Sequence, residues 1–472
     1  MIEADLVVIG AGPAGMSAAR QAVEAGLSVV LLDEQKRAGG QIYRNVAHVS
    51  PARADILGPD VARGGQLVAA IQHPRITHIA GASVWQIEGG TRVAYCVNGV
   101  AAVASGKRLL IATGAIERPM PVPGWTLPGV MNAGAAQILV KQSGMVLENA
   151  VLAGCGPLLY LVAAQMCRAG SPPLALVETQ STADLLSALR HWPGALRGWR
   201  HLVKGLGLLA EIRKAGVKRY SGASAIAVDG ADHAEAIRFT VRGRQHCLSC
   251  ETVLLHHGVV PNTQTARSIG VPHEWQARQR AFVPTRDEWG RTPQNGVFIA
   301  GDGAGIGGAL AAELAGAISA LQIAGDLDAL TPAQRDAAAR PLRRALRGEL
   351  ALRPFLDRAY PPYQGALSPA DETVVCRCEE VTAGEIRKFA KLGCLGPNQA
   401  KAFGRQGMGP CQGRYCGLTV TELLAAENGQ SPDVTGYYRI RPPIKPVTLG
   451  ELASMPATGW QPNGKQENDR EN

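Results

Sequence analysis

The stretch ADLVVIGAGPAGMSAARQAVEAGLSVVLLDEQ near the start of the chain leaves little freedom in how it can fold. An apolar run meets a turn carrying Gly10, Gly12 and Gly15. An Ala-rich segment of helical character follows, and a second apolar run ends at Asp33-Glu34. Each glycine has a mechanical role. Gly10 permits the tight turn, Gly12 lets the backbone approach a pyrophosphate, and Gly15 lets helix and strand pack closely. The helix N-terminus then faces the phosphates, and Asp33 or Glu34 is placed to accept hydrogen bonds from a ribose. The pattern predicts a strand–helix–strand unit that binds a dinucleotide.

Two later segments point back to the same ligand. In GKRLLIATGAIERPMPVPG a strand over Arg108 to Ala112 stops at Thr113-Gly114, and the prolines that follow force an extended exit. In flavoproteins with two dinucleotide folds a turn of this type lies against flavin adenine dinucleotide, so FAD is expected in the first site. Gly40 and Gln41, in the GGQIYR stretch, are further candidate contacts. In GVFIAGDGAGIGGALAAELAG a buried strand over Val297 to Ala300 delivers Gly301 and Asp302 to a glycine-rich turn before a helix. Asp302 can bind flavin ribityl hydroxyls, cap the helix, or do both.

Between these segments lies a second unit: strand AVLAG, turn Gly154-Cys155-Gly156, helix, and strand LALVE ending at Glu178. Leu159 stands where the third glycine should be and pushes the helix away from the strand. Bound NAD(P), another adenine nucleotide and an empty structural fold all remain open for Gly154, Gly156 and Glu178. The run from Ala150 to Cys167 is long and apolar, but its internal glycines and proline identify a buried strand and helix rather than a membrane span. His256 and His257 read as strand-end residues rather than ligands.

Near the C-terminus stand Cys376 and Cys378 in VCRCEEVT, and Cys411 and Cys416 in GMGPCQGRYCG. Two close pairs can converge four thiolates on one point, as zinc and iron-sulfur sites require. Structural zinc favours pairs two to four residues apart. The C-x-C and C-x4-C spacings here favour an iron-sulfur cluster. Cys394 lies within the module but outside the pairs, and the remaining five of ten cysteines read as isolated small hydrophobes.

With 472 residues the chain exceeds one ordinary core, so several domains are expected. The fold class is α/β: two Rossmann-like dinucleotide-binding domains, one inserted in the other, plus a small α-rich [2Fe-2S] module. The divisions are 1–148 and 265–330 for the first domain, 149–264 for the inserted one, 331–370 for a linker, 371–427 for the cysteine module and 428–472 for an extended tail, disordered beyond Gln461. The formal charge is +9, yet the cations are scattered except between Arg335 and Arg358. That stretch reads as a solvated helix face or a subunit-docking surface. Stacking aromatics are lacking, which argues against nucleic acid. No signal peptide or membrane-spanning segment is expected, and the address is the cytoplasm, with peripheral contact to the membrane through the respiratory chain.

The VIGAGPAG turn, ATGAIERPMPVPGW, AGDGAGIGGA and the CRCE and GMGPCQGRYCG cysteines, in this order, resemble the α (A) subunits of bacterial dye-linked amino-acid dehydrogenases. That family includes opine oxidase, D-hydroxyproline dehydrogenase and the related subunit of hydrogen cyanide synthase. The cysteine module is similar to bacterioferritin-associated ferredoxin. The resemblance implies a [2Fe-2S] cluster on Cys376, Cys378, Cys411 and Cys416, and FAD on Gly10, Gly12, Gly15, Asp33, Thr113, Gly114, Gly301 and Asp302. It also implies a β subunit with its own FAD that oxidises the substrate C–N bond, a small γ subunit in some complexes, and in some members FMN at the subunit contact. Some relatives hold ATP in the second nucleotide site. No catalytic base for substrate is expected in this chain; electrons are expected to pass through it to a respiratory or dye acceptor. Two rival readings are an NAD(P)H-dependent reductase and an iron-sensing partner.

Overall fold

The computed structural model describes residues 1–455; the expectation for the tail beyond Gln461 lies outside the described residues. β1 (Ile2–Ile9), α1 (Pro13–Glu24) and β2 (Val29–Asp33) form the predicted unit. After α2 (Pro51–Leu57) and α3 (Asp60–Ala70), β3 (Ile76–Ala80) pairs in parallel with β2. The antiparallel meander β4 (Ser83–Glu88), β5 (Arg92–Val97) and β6 (Val100–Ile111) then brings β6 beside β1, with Val7 opposite both Val30 and Leu109. Leu6 to Ile9 and Val29 to Leu32 are buried on both faces, which is why these strands read as continuous apolar runs rather than alternating ones.

β7 (Ala115–Glu117) leaves this sheet and β8 (Val130–Asn132) begins another. Then come α4 (Ala133–Ser143), β9 (Ala150–Gly154), α5 (Pro157–Arg168), β10 (Ala175–Glu178), α6 (Thr182–Ala188), α7 (Trp192–Arg197), α8 (Trp199–Lys214) and β11 (Lys218–Ser221). β12 (Ser224–Asp229), β13 (Ala236–Val241) and β14 (Arg244–Ser249) form a separate antiparallel sheet, and β15 (Thr252–His256) returns between β9 and β8. The second sheet is parallel throughout, in the order β11-β10-β9-β15-β8. Its first strand, β8, lies upstream of residue 149; three residues between prolines and a helix carry too little pattern to be read as a strand.

β16 (Val259–Pro261) pairs with β7, and α9 (Gln264–Ser268) and the hairpin β17 (His273–Gln276) with β18 (Ala281–Pro284) follow. β19 (Val297–Ile299) re-enters the first sheet in parallel beside β6, with Phe298 opposite Leu110. The first sheet is thus completed by chain from both sides of the second. α10 (Ala309–Asp326) lies against α1 so closely that a Cβ on Gly316 would stand 2.1 Å from the Ala14 carbonyl oxygen.

The expected linker is helical and packed. α11 (Pro332–Leu350) starts from a Thr331 capping box with Pro332 in its first turn, and α12 (Arg353–Ala359) and α13 (Gln364–Leu367) follow. Beyond it, β20 (Val374–Cys376), β21 (Val381–Thr382), α14 (Ala383–Lys391), α15 (Pro397–Gly404) and α16 (Gly417–Glu427) form the cysteine module. Tyr438, Ile440 and Ile444 are buried in the same core as Ile386, Val420 and Leu423, so the chain after residue 427 completes this module.

Candidate functional site

The first glycine turn is built by contact rather than by flexibility alone. A Cβ on Gly10 would sit 2.4 Å from the Ala112 carbonyl oxygen, and one on Gly15 would sit 1.8 Å from the carbonyl oxygen of Gly10. Only glycine lets β1, α1 and the end of β6 meet here. Above the turn lies a cavity of about 230 Å³ lined by Gly10, Gly12, Asp33, Gly40, Gln41, Thr113, Gly114, Gly301 and Asp302 together with residues of α4. Segments separated by hundreds of residues therefore share one wall.

Asp33 is buried, and its carboxylate accepts hydrogen bonds from the backbone N–H groups of Ala11 (2.5 Å) and Gln35 (2.7 Å). Burial raises its pKa against those two bonds. Glu34 lies outside the cavity, where Lys445 Nζ donates to it at 2.8 Å. Gly15 sits behind the wall. Asp302 Oδ1 accepts from the N–H groups of Gly307 and Gly308, at 2.8 and 2.9 Å, and so fixes the loop that leads into α10.

The second turn is arranged differently. Glu178 is fully buried and its two oxygens accept from Tyr160 Oη (2.5 Å), Gln180 Nε2 (3.0 Å), Arg219 Nε and Nη2 (3.1 and 2.8 Å) and Ser221 Oγ (2.9 Å). Cys155, between Gly154 and Gly156, donates its thiol to the Pro361 carbonyl at 3.1 Å. Tyr360 packs edge-on against Tyr160 with centroids 6.1 Å apart. Leu159 is wholly buried among Leu152, Val162 and Leu254. His256 and His257 are also buried. His256 Nδ1 contacts Glu117 Oε1 at 2.5 Å; His257 Nε2 donates to the Pro119 carbonyl, and its Nδ1 accepts from the Tyr363 N–H.

The four module cysteines line one cavity of about 390 Å³, facing Trp125, residues of β8 and Leu255. They stand as two pairs that cross between the motifs, Cys376 with Cys416 and Cys378 with Cys411. The hydrogen bond from Cys416 lowers the Cys376 thiol to about 6, while the same bond and burial push Cys416 well up. No three His, Cys, Asp or Glu side chains among the described residues converge to hold a single metal ion. Arg377 lies over Trp125, whose Nε1 donates to the Val374 carbonyl at 2.7 Å. Arg414 donates to the carbonyls of Cys411 and Ile444. Cys394 is buried in the module core and does not line the cavity.

The glycines of GMGPCQGRYCG make room for the cysteine turn and for the tail. A Cβ on Gly409 would stand 2.5 Å from Cys378 Cβ; those on Gly407 and Gly413 would strike the Tyr438 ring, and one on Gly417 would strike Tyr437 Oη.

The two cavities share a partition. Gly134 lines the first, while Asn132 and Ala135 line the second, so the opening turn of α4 separates them. A second connection runs by hydrogen bonds. The Asn262 N–H donates to the Gly114 carbonyl at 3.0 Å, and Gln264 Nε2 donates at 2.7 Å to the carbonyl of Gln412, the neighbour of Cys411. Trp125, Gly134, Gln264 and the Tyr437-Tyr438 pair carry no local signature in the sequence and are found only from the fold.

An arrangement of two sheets with parallel cores, one mixed at its edge and each opened by a glycine turn, defines a class of flavin-dependent oxidoreductase. The family model for pyridine nucleotide-disulphide oxidoreductases matches residues 4–325, and the model for the sarcosine oxidase A3 domain matches residues 370–455. The A subunit of opine oxidase from Rhizobium meliloti is 45% identical over 464 residues, covering 96% of this chain and 88% of that protein. The HcnB subunit of hydrogen cyanide synthase from Pseudomonas aeruginosa is 31% identical over 470 residues, covering 95% and 98%. The chain belongs to the family of opine oxidase A subunits, within the pyridine nucleotide-disulphide oxidoreductases. The crystal structure of L-proline dehydrogenase from P. horikoshii shares the fold, with a TM-score of 0.70 at 18% identity over 96% of this chain and 80% of that one. Both of these sequence relatives are subunits of larger enzymes. Among the described residues no helix is long and apolar enough to cross a membrane.

Proposed function

We propose that this chain is the electron-relaying α subunit of an opine-type amino-acid dehydrogenase, carrying FAD in the first cavity and a [2Fe-2S] cluster in the second. The observation that carries the reading is the partition: the opening turn of α4 contributes residues to both a dinucleotide cavity and a cavity lined by four thiols. Two crossed thiol pairs suit a binuclear cluster, which takes two thiolates per iron, better than a single tetrahedral ion. Arg377 and Arg414 put positive charge beside a site that would hold four thiolates.

Each part of the chain has its place in this scheme. Gly10 and Gly12 admit a pyrophosphate to the N-terminus of α1, Asp33 offers carboxylate oxygens toward a ribose, and Asp302 shapes the wall toward the ribityl side. A flavin held there would supply two-electron acceptance with one-electron release, the chemistry that a one-electron cluster on the four cysteines would need. Oxidation of a secondary-amine substrate on the partner subunit removes two electrons and two protons, and water splits the resulting imine. The residues around α4 and Gln264 hold the two cofactor cavities at fixed separation.

The second glycine turn is read as structural. Glu178 has its oxygens committed to five donors, leaving a ribose little to bind, and Pro361 holds the turn from outside. The nucleotide-fold domains are assigned to 1–148 with 265–330 and to 149–264, with β8 and α4 attached to the second sheet.

The test is anaerobic purification with the natural partners, followed by metal and acid-labile sulfide analysis and bleaching with opines, D-amino acids, glycine and NADH. Two irons and two sulfides per chain, with flavin bands bleached by an opine or imino acid and not by NADH, support the reading. Zinc in place of iron, or bleaching by NADH alone, overturns it in favour of a reductase.

A further inference from the structure

We propose that the outer face of α6–α8 docks this subunit onto an anionic lipid surface. Soluble helices place small and polar residues outside and large apolar ones inside. Over α6, α7 and the first turn of α8 the arrangement is inverted, although further along α8 Leu208 and Ile212 are buried. Ala188, Ala195 and Gly198 face the protein, and a Cβ on Gly194 or Gly198 would strike the Ala351 carbonyl oxygen or Leu352. The outward stripe is Leu189, Trp192, Leu196, Trp199, Val203 and Leu206, alternately three and four residues apart, each more than half exposed. Within α7 and within α8 that spacing places the exposed side chains on one helix face, and the same three-and-four pattern continues through the breaks around Leu189 and Gly198.

The charges decide what covers the stripe. Between Leu185 and Ala210 there is no Asp or Glu, whereas Arg190, Arg197, Arg200 and Lys204 flank the apolar line and are exposed. α11 adjoins the patch through His201 and Glu349, at 2.9 Å, and carries the exposed cations Arg340, Arg344 and Arg347 in roughly the two to three turns before that contact. A second copy seated on this face across a two-fold axis would bring these cations against their own equivalents. An anionic bilayer surface receives both features: the indoles and leucines enter the headgroup–acyl boundary while the cations reach the headgroups. The inference is independent of the substrate and cofactors proposed above.

The test uses the purified complex of this chain with its natural partners. Flotation with vesicles of phosphatidylglycerol and phosphatidylethanolamine is compared with flotation on pure phosphatidylcholine. The complex is expected to float with the anionic vesicles, with binding several-fold weaker at high salt. The L196S/W199S/V203S variant, altered only at exposed positions, is expected to bind roughly tenfold more weakly while keeping its flavin spectrum. Quenching of tryptophan fluorescence by brominated lipid, reduced in W192F/W199F, gives a second readout. No flotation with anionic vesicles overturns the proposal, as does flotation that the triple variant leaves unchanged. Protection of residues 189–206 from deuterium exchange by a partner subunit, without vesicle binding, assigns the face to that protein and also overturns it.

Discussion

Replacing Gly409 by alanine should lower the metal content of the cysteine cavity by at least about half while sparing the flavin. Gly409 is buried, and its backbone does not need the left-handed conformation, so the added methyl acts through space alone. That methyl would stand 2.5 Å from Cys378 Cβ, 3.0 Å from Glu379 Oε1 and 3.5 Å from Cys378 Sγ. Restoring ordinary contact requires Cys378 to retreat by roughly 1 Å, several times the ~0.2 Å that ligand distances tolerate at a metal site. The steric cost is about 1–3 kcal/mol, as for other overpacked interiors. The assay is iron and acid-labile sulfide per chain, alongside flavin content and the thermal melt. Iron and sulfide should both fall by at least about half, with flavin content unchanged. Gly348→Ala, whose methyl would meet nothing within 4 Å, is the control. Full iron and sulfide in G409A with an unaltered visible spectrum would refute the assignment of Cys378 as a ligand.

Three further outcomes are expected. Glu178→Ala strands Arg219 and Tyr160 and should destabilise the second sheet by about 2–3 kcal/mol, below the range for a fully enclosed pair because Arg219 is more than a third exposed; denaturant unfolding reads this, and an unchanged midpoint would contradict the packing of β10. Gln264→Leu leaves the Gln412 carbonyl without its buried donor, so amide exchange at residues 411–417 should accelerate with iron retained; no change would mean that this bond does not fasten the module. Burial depresses His257 well below its ordinary range and His273 to about 3, so in the pH window below about 6.5 the unfolded chain binds protons that the folded chain refuses. Stability is therefore fully present above that range and falls on acidification toward pH 4, by up to ~1.4 kcal/mol per pH unit for each histidine; a melt that is flat between pH 7 and 4.5 would count against it.

The elements legible in the sequence are those fixed by local sterics. Gly10 can be read because its positive φ favours glycine, Gly15 because a Cβ there collides with the carbonyl of Gly10, and the apolar runs Leu6–Ile9, Val29–Leu32 and β9 because both their faces are covered. The neighbours Asp33 and Glu34 could not be told apart from spacing, since the choice depends on which side of β2 closes the cavity and on Lys445, far away in the chain. Glu178 looked like a ribose ligand by position; its commitment to Arg219 and Ser221 arises only when β11 pairs with β10. The tail looked extended because prolines interrupt it, yet Tyr437 and Tyr438 fill notches left by Gly407, Gly413 and Gly417, a match between distant residues with no periodicity to betray it.

That tyrosine clamp sets an order of assembly. The wall of the first cavity is complete once the ribosome has released α10, whereas the pocket around Cys411 and Cys416 is unfinished until Tyr437, Tyr438 and Ile444 have emerged. On the cofactor assignment proposed above, the flavin cavity is thus complete earlier along the chain than the cysteine cavity. A premature stop just after α16 would therefore give a chain able to colour yellow, with its module thiols left open to air.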